Sequence, residues 1–392
     1  MNHAVTLDNW QTGPVNRHTS GRMREIVPTA RVAAGHTPLP LAEDACRLDL
    51  DMPLSGGTIA SVLDDTFTDG FLVLHDGVIR AECYPGDLEP GRPHMLYSVS
   101  KSIIGSVAAV LIDSGALDPN HLVTKYVPEL CESGYAGATV RHILDMRSGI
   151  KFGEEYLDPD AEVRHLDQAL GWVPRTSPDV PATLYEYLPR LRRQRSHGGV
   201  FEYRSCETDV LGWVCERAAG ERMPELLSRT LWSRFAGDDM DAGVDRAGSV
   251  FHDGGLAASL RDTARFGELL RRGGNHIVPR AWIDDALTGA ADSRDAFANS
   301  PNDTRLPGGM YRNQFWVPYP DRRVLMCLGI HGQLVYVDFD RAVVVAKLSS
   351  WPTPLDPALD ATTLSLADAV ADAVSCANRH GGTGNAACRG PA

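Results

Sequence analysis

The stretch Ser98-Val-Ser-Lys101-Ser-Ile-Ile-Gly105-Ser-Val-Ala-Ala-Val110-Leu-Ile-Asp-Ser114 decides how the chain is organised. Ile103, Ile104, Val107, Val110 and Leu111 recur at helical spacing, which predicts a helix from about Ser98 to Ser114, closed by Gly115. A serine at a helix start lies at the positive end of the helix dipole, among backbone N–H groups that the helix leaves unpaired. The residue three positions on shares its face. Lys101 can therefore reach Ser98 Oγ, and the pair reads as a nucleophile and its base. The same four residues could be an N-cap serine followed by a surface lysine, and Ser148-Gly-Ile-Lys151 repeats the spacing. Ser148, however, falls where a helix stops, with Gly149 next, so the dipole there is reversed. Lys101 opens a largely apolar helix in which an idle lysine has no reason to be buried. Only four of the 38 basic residues are lysines: Lys101, Lys125, Lys151 and Lys347. Arginine is the default cation, and lysine, unlike arginine, can be tuned to release its proton.

Strand signals lie on either side of this helix. Residues 71–82 predict a hairpin turning at Asp76-Gly77, a favoured two-residue turn. Residues 323–330, 333–338 and 342–349 are short β-rich runs, followed by an Ala-rich amphipathic helix over 360–378. Between them, helices are expected at 138–148, 207–219 and 259–272, the last opened by a capping box at Ser259-Leu-Arg-Asp262. Residues 1–57 read as an irregular arm wrapping the body, and 151–200 as loops with short helices. Strands early and late with helices between predict an α/β (α+β) architecture, an antiparallel sheet flanked by helices plus a mostly helical lobe. The expected lobes are 1–112 with 250–392 (discontinuous) and 113–249, with a flexible tail over 381–392.

With 392 residues, 43% of them hydrophobic, the chain can bury a sizeable core. A formal net charge of −13 and no Lys/Arg-rich run argue against nucleic acid as a partner. No segment approaches the apolar length of a membrane span, and the first residues carry no secretory pattern. The eight cysteines form no CxxC pair, which favours a cytoplasmic protein with free thiols. No metal site and no cofactor are expected, since HExxH, P-loop and histidine-ligand spacings are all missing. A G-x-S-x-G elbow is missing too, which argues against the common α/β-hydrolase design, and acidic pairs such as Glu154-Glu155 read as solvated charge. The oligomeric state is left open, a homodimer included.

Two further segments carry chemistry. Tyr203-Arg-Ser205 precedes the helix near Glu207, and a tyrosine at such a junction can deliver a proton to a leaving group. Taken alone, a packing tyrosine followed by a helix-capping serine is the commoner outcome. Gly329-Ile-His331-Gly-Gln333 lies between two strand runs, where a Gly-flanked edge lets backbone N–H groups approach a ligand and complete an oxyanion hole. Taken alone, it is a hairpin with glycines.

Ser-x-x-Lys, a tyrosine motif and a late strand motif occur here in the order Ser98, Tyr203 and Ile330. In that order they resemble the serine β-lactamase and penicillin-binding superfamily, in its class C branch. Thr139–Gly149 and Gly254–Gly267 resemble further stretches of that superfamily. Leu7–Trp10, Tyr126–Leu130, Thr208–Trp213, Gly329–Gln333 and Lys347–Pro352 resemble its nylon-oligomer amidases, hydrolases of linear 6-aminohexanoate amides with esterase activity. The resemblance implies a β-lactamase/DD-peptidase-like fold, with Ser98 as nucleophile, Lys101 as its base partner and Tyr203 as proton donor. The backbone N–H groups of Ser98 and Ile330 would hold the oxyanion. On the substrate side it implies Tyr156 as a residue of a closing loop, Asp167 as the carboxylate for an amino end, Trp172 as a cleft wall, and Asp253 and His331 beside them.

Three positions depart from the resemblance. Cys327 stands where β-lactam binders carry a cation, Asp253 where an Asn is expected, and Val173 where an Arg is expected. The expectation is an amidase/esterase of small linear amides or esters working through an acyl-enzyme. The rival readings are an esterase or acyltransferase on the same scaffold and a penicillin-binding protein without turnover.

Overall fold

The computed structural model describes residues 4–44, 47–54, 56–300 and 304–381. The strands that matter for the site are, in chain order, β1 (Thr29–Val32), β2 (Ala42–Glu43), β3 (Thr68–His75), β4 (Val78–Cys83), β5 (His94–Met95), β6 (Met240–Gly243), β7 (Leu256–Ala258), β8 (Met310–Arg312), β9 (Phe315–Val317), β10 (Val324–Gly329), β11 (Gln333–Asp338) and β12 (Val343–Ser349). The helices that matter for it are α1 (Val99–Asp113), α2 (Glu162–Leu170), α3 (Ser205–Ala219), α4 (Leu260–Arg271) and α5 (Pro357–Gly381).

The hairpin expected at 71–82 forms because Asp76 and Gly77 both take positive φ, 51° and 78°, the turn whose twist matches its flanking strands. Eight strands make one sheet in the order β8-β9-β10-β11-β12-β3-β4-β2. All its pairings are antiparallel except that of β2 with β4. The β12–β3 ladder, running from Val343 opposite His75 to Lys347 opposite Phe71, joins the late strands to the early ones. Both faces of this sheet are buried, and the side chains alternate between two cores. Leu72, Leu74, Val335, Val337 and Val344 point into one; Phe71, Val73, Tyr336, Val343 and Val345 point into the other. Helix α4 covers the first face. It approaches so closely at Gly267 that a β-carbon there would stand 2.5 Å from Val344 Cγ1. Helix α5 covers the second face with Leu366, Ala367, Val370, Ala371 and Val374, one helical stripe.

Three sequence expectations change. The 1–57 arm is not wholly irregular: β1 pairs with β6 at the edge of a second sheet, ordered β1-β6-β7-β5, and Trp10 is buried. The helix expected over 138–148 spans only Val140–Leu144, because Met146 takes a φ of 52° and turns the chain away. The tail expected over 381–392 lies, beyond Gly381, outside the described residues. Among the described residues, no helix is long and apolar enough to cross a membrane.

Candidate active site

Ser98 is the N-cap of α1. Tyr97, immediately before it, has a φ of 44°, a conformation rare for a bulky residue and one that marks stored strain. That turn sets Ser98 at the mouth of the cleft while twelve of the fifteen residues of α1 are buried. One turn on, Lys101 Nζ donates to Ser98 Oγ at 2.8 Å. It also donates to the Asp253 carbonyl oxygen at 2.9 Å and lies 3.4 Å from Asp253 Oδ1. The same nitrogen stands 5.1 Å from the centre of the Tyr203 ring. The spacing that suggested a pair thus brings Ser98, Lys101 and Tyr203 together, with Asp253 closing the far side of the ammonium.

By contrast, the second Ser-x-x-Lys does not come together. Ser148 is buried with its hydroxyl on Glu207, while Lys151 is exposed and pairs with Glu162 at 3.3 Å.

The electrostatics of the pair differ from the sequence argument, which expected a lysine tuned toward losing its proton. Burial does oppose the Lys101 charge, but Asp253, Tyr203 and Glu154 together outweigh it and hold the ammonium above the ordinary lysine value. Burial likewise pushes the Tyr203 phenol up, with Lys101 pulling the other way. The resting site therefore holds a charged Lys101 and a neutral Tyr203. Behind them lies Asp209, on the buried face of α3. Its Oδ1 accepts the backbone N–H groups of His252 (3.0 Å) and Asp253 (3.2 Å) and so fixes the segment that carries Asp253. Burial, and then the neighbouring Asp253, push the Asp209 carboxyl well above the usual carboxylate range.

Tyr203 is held from both sides. Its ring stacks on Trp316, with centroids 5.2 Å apart. The next residue, Arg204, is fully buried between Glu202 and Glu207. Glu154, which the sequence suggested was solvated charge beside Glu155, is in fact part of the site. It accepts from the Ser205 backbone N–H, from Ser205 Oγ at 3.2 Å and from the Tyr156 hydroxyl at 2.6 Å. Tyr156 is thereby tied down beside the cleft. The signals for these supporting groups in the sequence were weak, since a lone Glu, Asp or Arg has no spacing of its own.

Across from Ser98, β10 ends at Gly329 and a short 3-10 turn begins at Ile330, whose first-turn N–H groups have no partner within the turn. His331 takes a φ of 60°, and its ring packs 5.1 Å from that of Tyr97. The two strained residues thus brace the two proposed oxyanion donors against each other. His331 Nδ1 lies 2.7 Å from the Trp351 carbonyl oxygen and 3.3 Å from Asn16 Nδ2. Burial pulls its imidazole down to about 4, so at neutral pH it is an uncharged wall.

Two cavities meet at Ser98. One, of about 340 Å³, is bounded by Tyr156, Asp167, Val173, Phe251 and Asp253. The other, of about 250 Å³, is bounded by Glu154, Tyr156, Tyr203, Trp316 and Leu328. Asp167 projects from α2 and pairs with Arg164 at 2.6 Å. Burial outweighs that partner and pushes its carboxyl up to about 7. Trp172 is not a cleft wall. Its ring is buried one layer behind, edge-on to Trp10 and Phe251 and over Gly243, where a β-carbon would stand 2.2 Å from Cζ2. Val173 and Phe251 face the cavity instead. Cys327 is buried under α1, with its thiol pushed up to about 12 by burial, and presents no cation to the cleft. Among the described residues, no group of three or more His, Cys, Asp or Glu is placed to hold a metal ion.

Comparison with known proteins gives the same picture of the chain as a whole. The Beta-lactamase family model matches residues 65–369. The chain is 40% identical over 354 residues to the 6-aminohexanoate-dimer hydrolase of Paenarthrobacter ureafaciens, with 89% of each protein covered. Among solved structures it is similar to the "Putative 6-aminohexanoate-dimer hydrolase from Bacillus anthracis", at a TM-score of 0.85 and 24% identity, covering 96% of this chain and 98% of that one. It is similar also to EstCE1, a hydrolase with promiscuous acyltransferase activity, at a TM-score of 0.62 and 17% identity, covering 80% of this chain and 98% of that one.

Proposed function

The chain belongs to the Beta-lactamase family and is a serine hydrolase, and from that premise we propose that it cleaves small linear amides of the 6-aminohexanoate-dimer type, and carboxylic esters, through an acyl-enzyme on Ser98. The observation that carries this reading is the 2.8 Å contact of Lys101 Nζ with Ser98 Oγ beside Tyr203, inside a cleft whose wall holds Asp167. Ser98 Oγ attacks the carbonyl carbon, and the backbone N–H groups of Ser98 and Ile330 take the developing oxyanion. Lys101 and Tyr203 work as one proton carrier. The pair must hold one proton fewer than at rest to accept the serine proton, and Tyr203 then passes a proton to the leaving nitrogen or oxygen. Water deacylates the enzyme by the reverse path. An ammonium at the far end of the acyl chain suits Asp167 by charge.

The test is labelling with a fluorophosphonate probe together with turnover of 6-aminohexanoate dimer and p-nitrophenyl acetate. Loss of both in Ser98→Ala is expected; unchanged labelling in that variant overturns the assignment. Running the ester reaction with amine acceptors separates hydrolysis from acyl transfer. For location we propose the cytoplasm, supported by Cys83, Cys131, Cys206, Cys215 and Cys327 all being free thiols.

A further inference from the structure

Beyond the Ser98 cleft, a third cavity of about 470 Å³ lies between the end of β10, the start of β11 and the start of α5. It shares Arg305, Leu328, Gly329 and Leu355 with the Tyr203 cavity, so the two adjoin across those residues. Its far walls are apolar: Met326 and Leu334 from the sheet, Ala361 and Leu364 from α5. The cation at the junction is already matched, since Arg305 pairs with Asp360 at 2.8 Å. Thr304, Gln333 and Thr363 add polar groups to its lining, but among the described residues the arm presents no unpaired charge, so it suits an uncharged, mostly aliphatic chain.

Which half of a substrate would enter it follows from the placement of Tyr203. That residue bounds the cavity leading to the arm and not the cavity holding Asp167. If Tyr203 protonates the leaving atom, the leaving group departs on its side. The acyl half then lies toward Asp167, and whatever is attached to the departing nitrogen or oxygen points toward Leu328 and the apolar arm. We infer that this arm is a leaving-group subsite, and that among substrates with uncharged leaving groups the enzyme prefers amides and esters of medium-chain aliphatic amines and alcohols. The inference rests on Tyr203 serving the leaving group, as proposed above.

The experiment is a series of esters with one acyl group and unbranched alkoxy leaving groups from methyl to octyl, assayed on the full chain. Burial of a methylene supports a gain in kcat/KM of roughly two- to fourfold per carbon until the arm is filled. Ala361 is exposed on α5 at the arm's wall, so Ala361→Trp fills the arm without disturbing a core. In that variant the octyl-to-methyl ratio should collapse by tenfold or more. A flat chain-length series, or an Ala361→Trp variant that keeps the wild-type ratio, overturns the subsite. The Ser98→Ala control separates the two levels. If that variant still hydrolyses the methyl ester, the nucleophile assignment has failed. If it is dead while the wild-type series is flat, only the subsite has failed. A complementary series lengthened on the acyl side should show no loss of gain in Ala361→Trp; a loss there instead would place the acyl chain in the arm and reverse the assignment.

Discussion

Lys101 Nζ and Asp253 Oδ1 stand 3.4 Å apart, both almost completely shielded from solvent. This contact decides the protonation state of the proposed catalytic pair. Burial alone would drive the lysine toward neutrality; Asp253 is the largest of the groups that oppose it, and with Tyr203 and Glu154 it reverses the sign. Activity that requires Lys101 and Tyr203 to hold one proton fewer than at rest rises with pH, and a raised Lys101 places that rise on the alkaline side. Asp253→Asn keeps the shape but removes the charge, so the ascending limb of kcat should move to lower pH, by about one unit or more. A pH–rate profile on p-nitrophenyl acetate checks it. A limb that stays in place, or moves to higher pH, removes Asp253 from the control of this proton.

Lys101 itself should tolerate no cationic substitute. Its head group is enclosed by Ser98 Oγ and the Asp253 carbonyl and carboxylate oxygens. A guanidinium is larger, planar and cannot give up its proton. Lys101→Arg should lower kcat by about 10³-fold or more, close to the loss in Ser98→Ala, because residues that act as a unit fail together. Circular dichroism and the melting midpoint establish that the variant is folded. An active, folded Arg variant would leave the ammonium an electrostatic role only.

Asp167 supplies a second pH effect, with a different sign test. Burial raises its carboxyl to about 7, so it is neutral below that pH and charged above it. An ammonium-bearing amide should therefore bind better as pH rises through about 7, seen as a falling KM for 6-aminohexanoate dimer. Asp167→Asn should flatten that dependence and raise KM roughly tenfold, ~1.4 kcal/mol, with a much smaller change for p-nitrophenyl acetate. Equal losses on both substrates would mean that Asp167 supports the cleft wall rather than the substrate's charge.

Periodic features were legible in the sequence; supporting contacts were not. The helical spacing of Ile103, Ile104 and Val107 and the Asp76-Gly77 turn each encode a local geometry, and both appear where expected. Ser98 and Lys101 were readable because one helical turn fixes their relation. Asp209, Glu154 and Arg204 reach the site through long-range packing, which leaves no local pattern. Glu154 was misread because adjacent glutamates are usually solvated, yet its partners Ser205 and Tyr156 come from segments that only the fold brings together. Trp172 was misplaced by one layer for a similar reason. The resemblance put it next to the cleft, but the small Gly243 opposite admits its ring to the core, and Val173 and Phe251 take the surface. Lysine scarcity singled out Lys101 but not the direction in which its proton is held, since the sequence does not show that Asp253 comes within 3.4 Å.

That same scarcity leaves Lys347 to be explained, and it fits the tuned lysine better than Lys101 does. It is completely buried in β12, donating to Ser349 Oγ and to the Thr66 carbonyl oxygen at 3.3 Å. Burial pulls it from 10.5 down to about 7, with Asp69 opposing. The folded chain therefore releases this proton near pH 7, while the unfolded chain keeps it to about 10.5. Between those values the unfolded state binds more protons, so stability from this group grows as pH rises and falls away as pH drops toward 7. Below about 7 both states are protonated and the group adds no further slope. The limiting slope is about 1.4 kcal/mol per pH unit, so the contribution over two units above neutrality is of the order of 2 kcal/mol. Lys347→Met keeps an unbranched chain of similar size without the titrating head. In urea unfolding across about pH 7.5 to 9.5, the wild type should gain stability relative to this variant. Parallel curves for the two proteins would show that Lys347 stays charged in the fold, with its ammonium held by Thr66, Ser349 and Asp69.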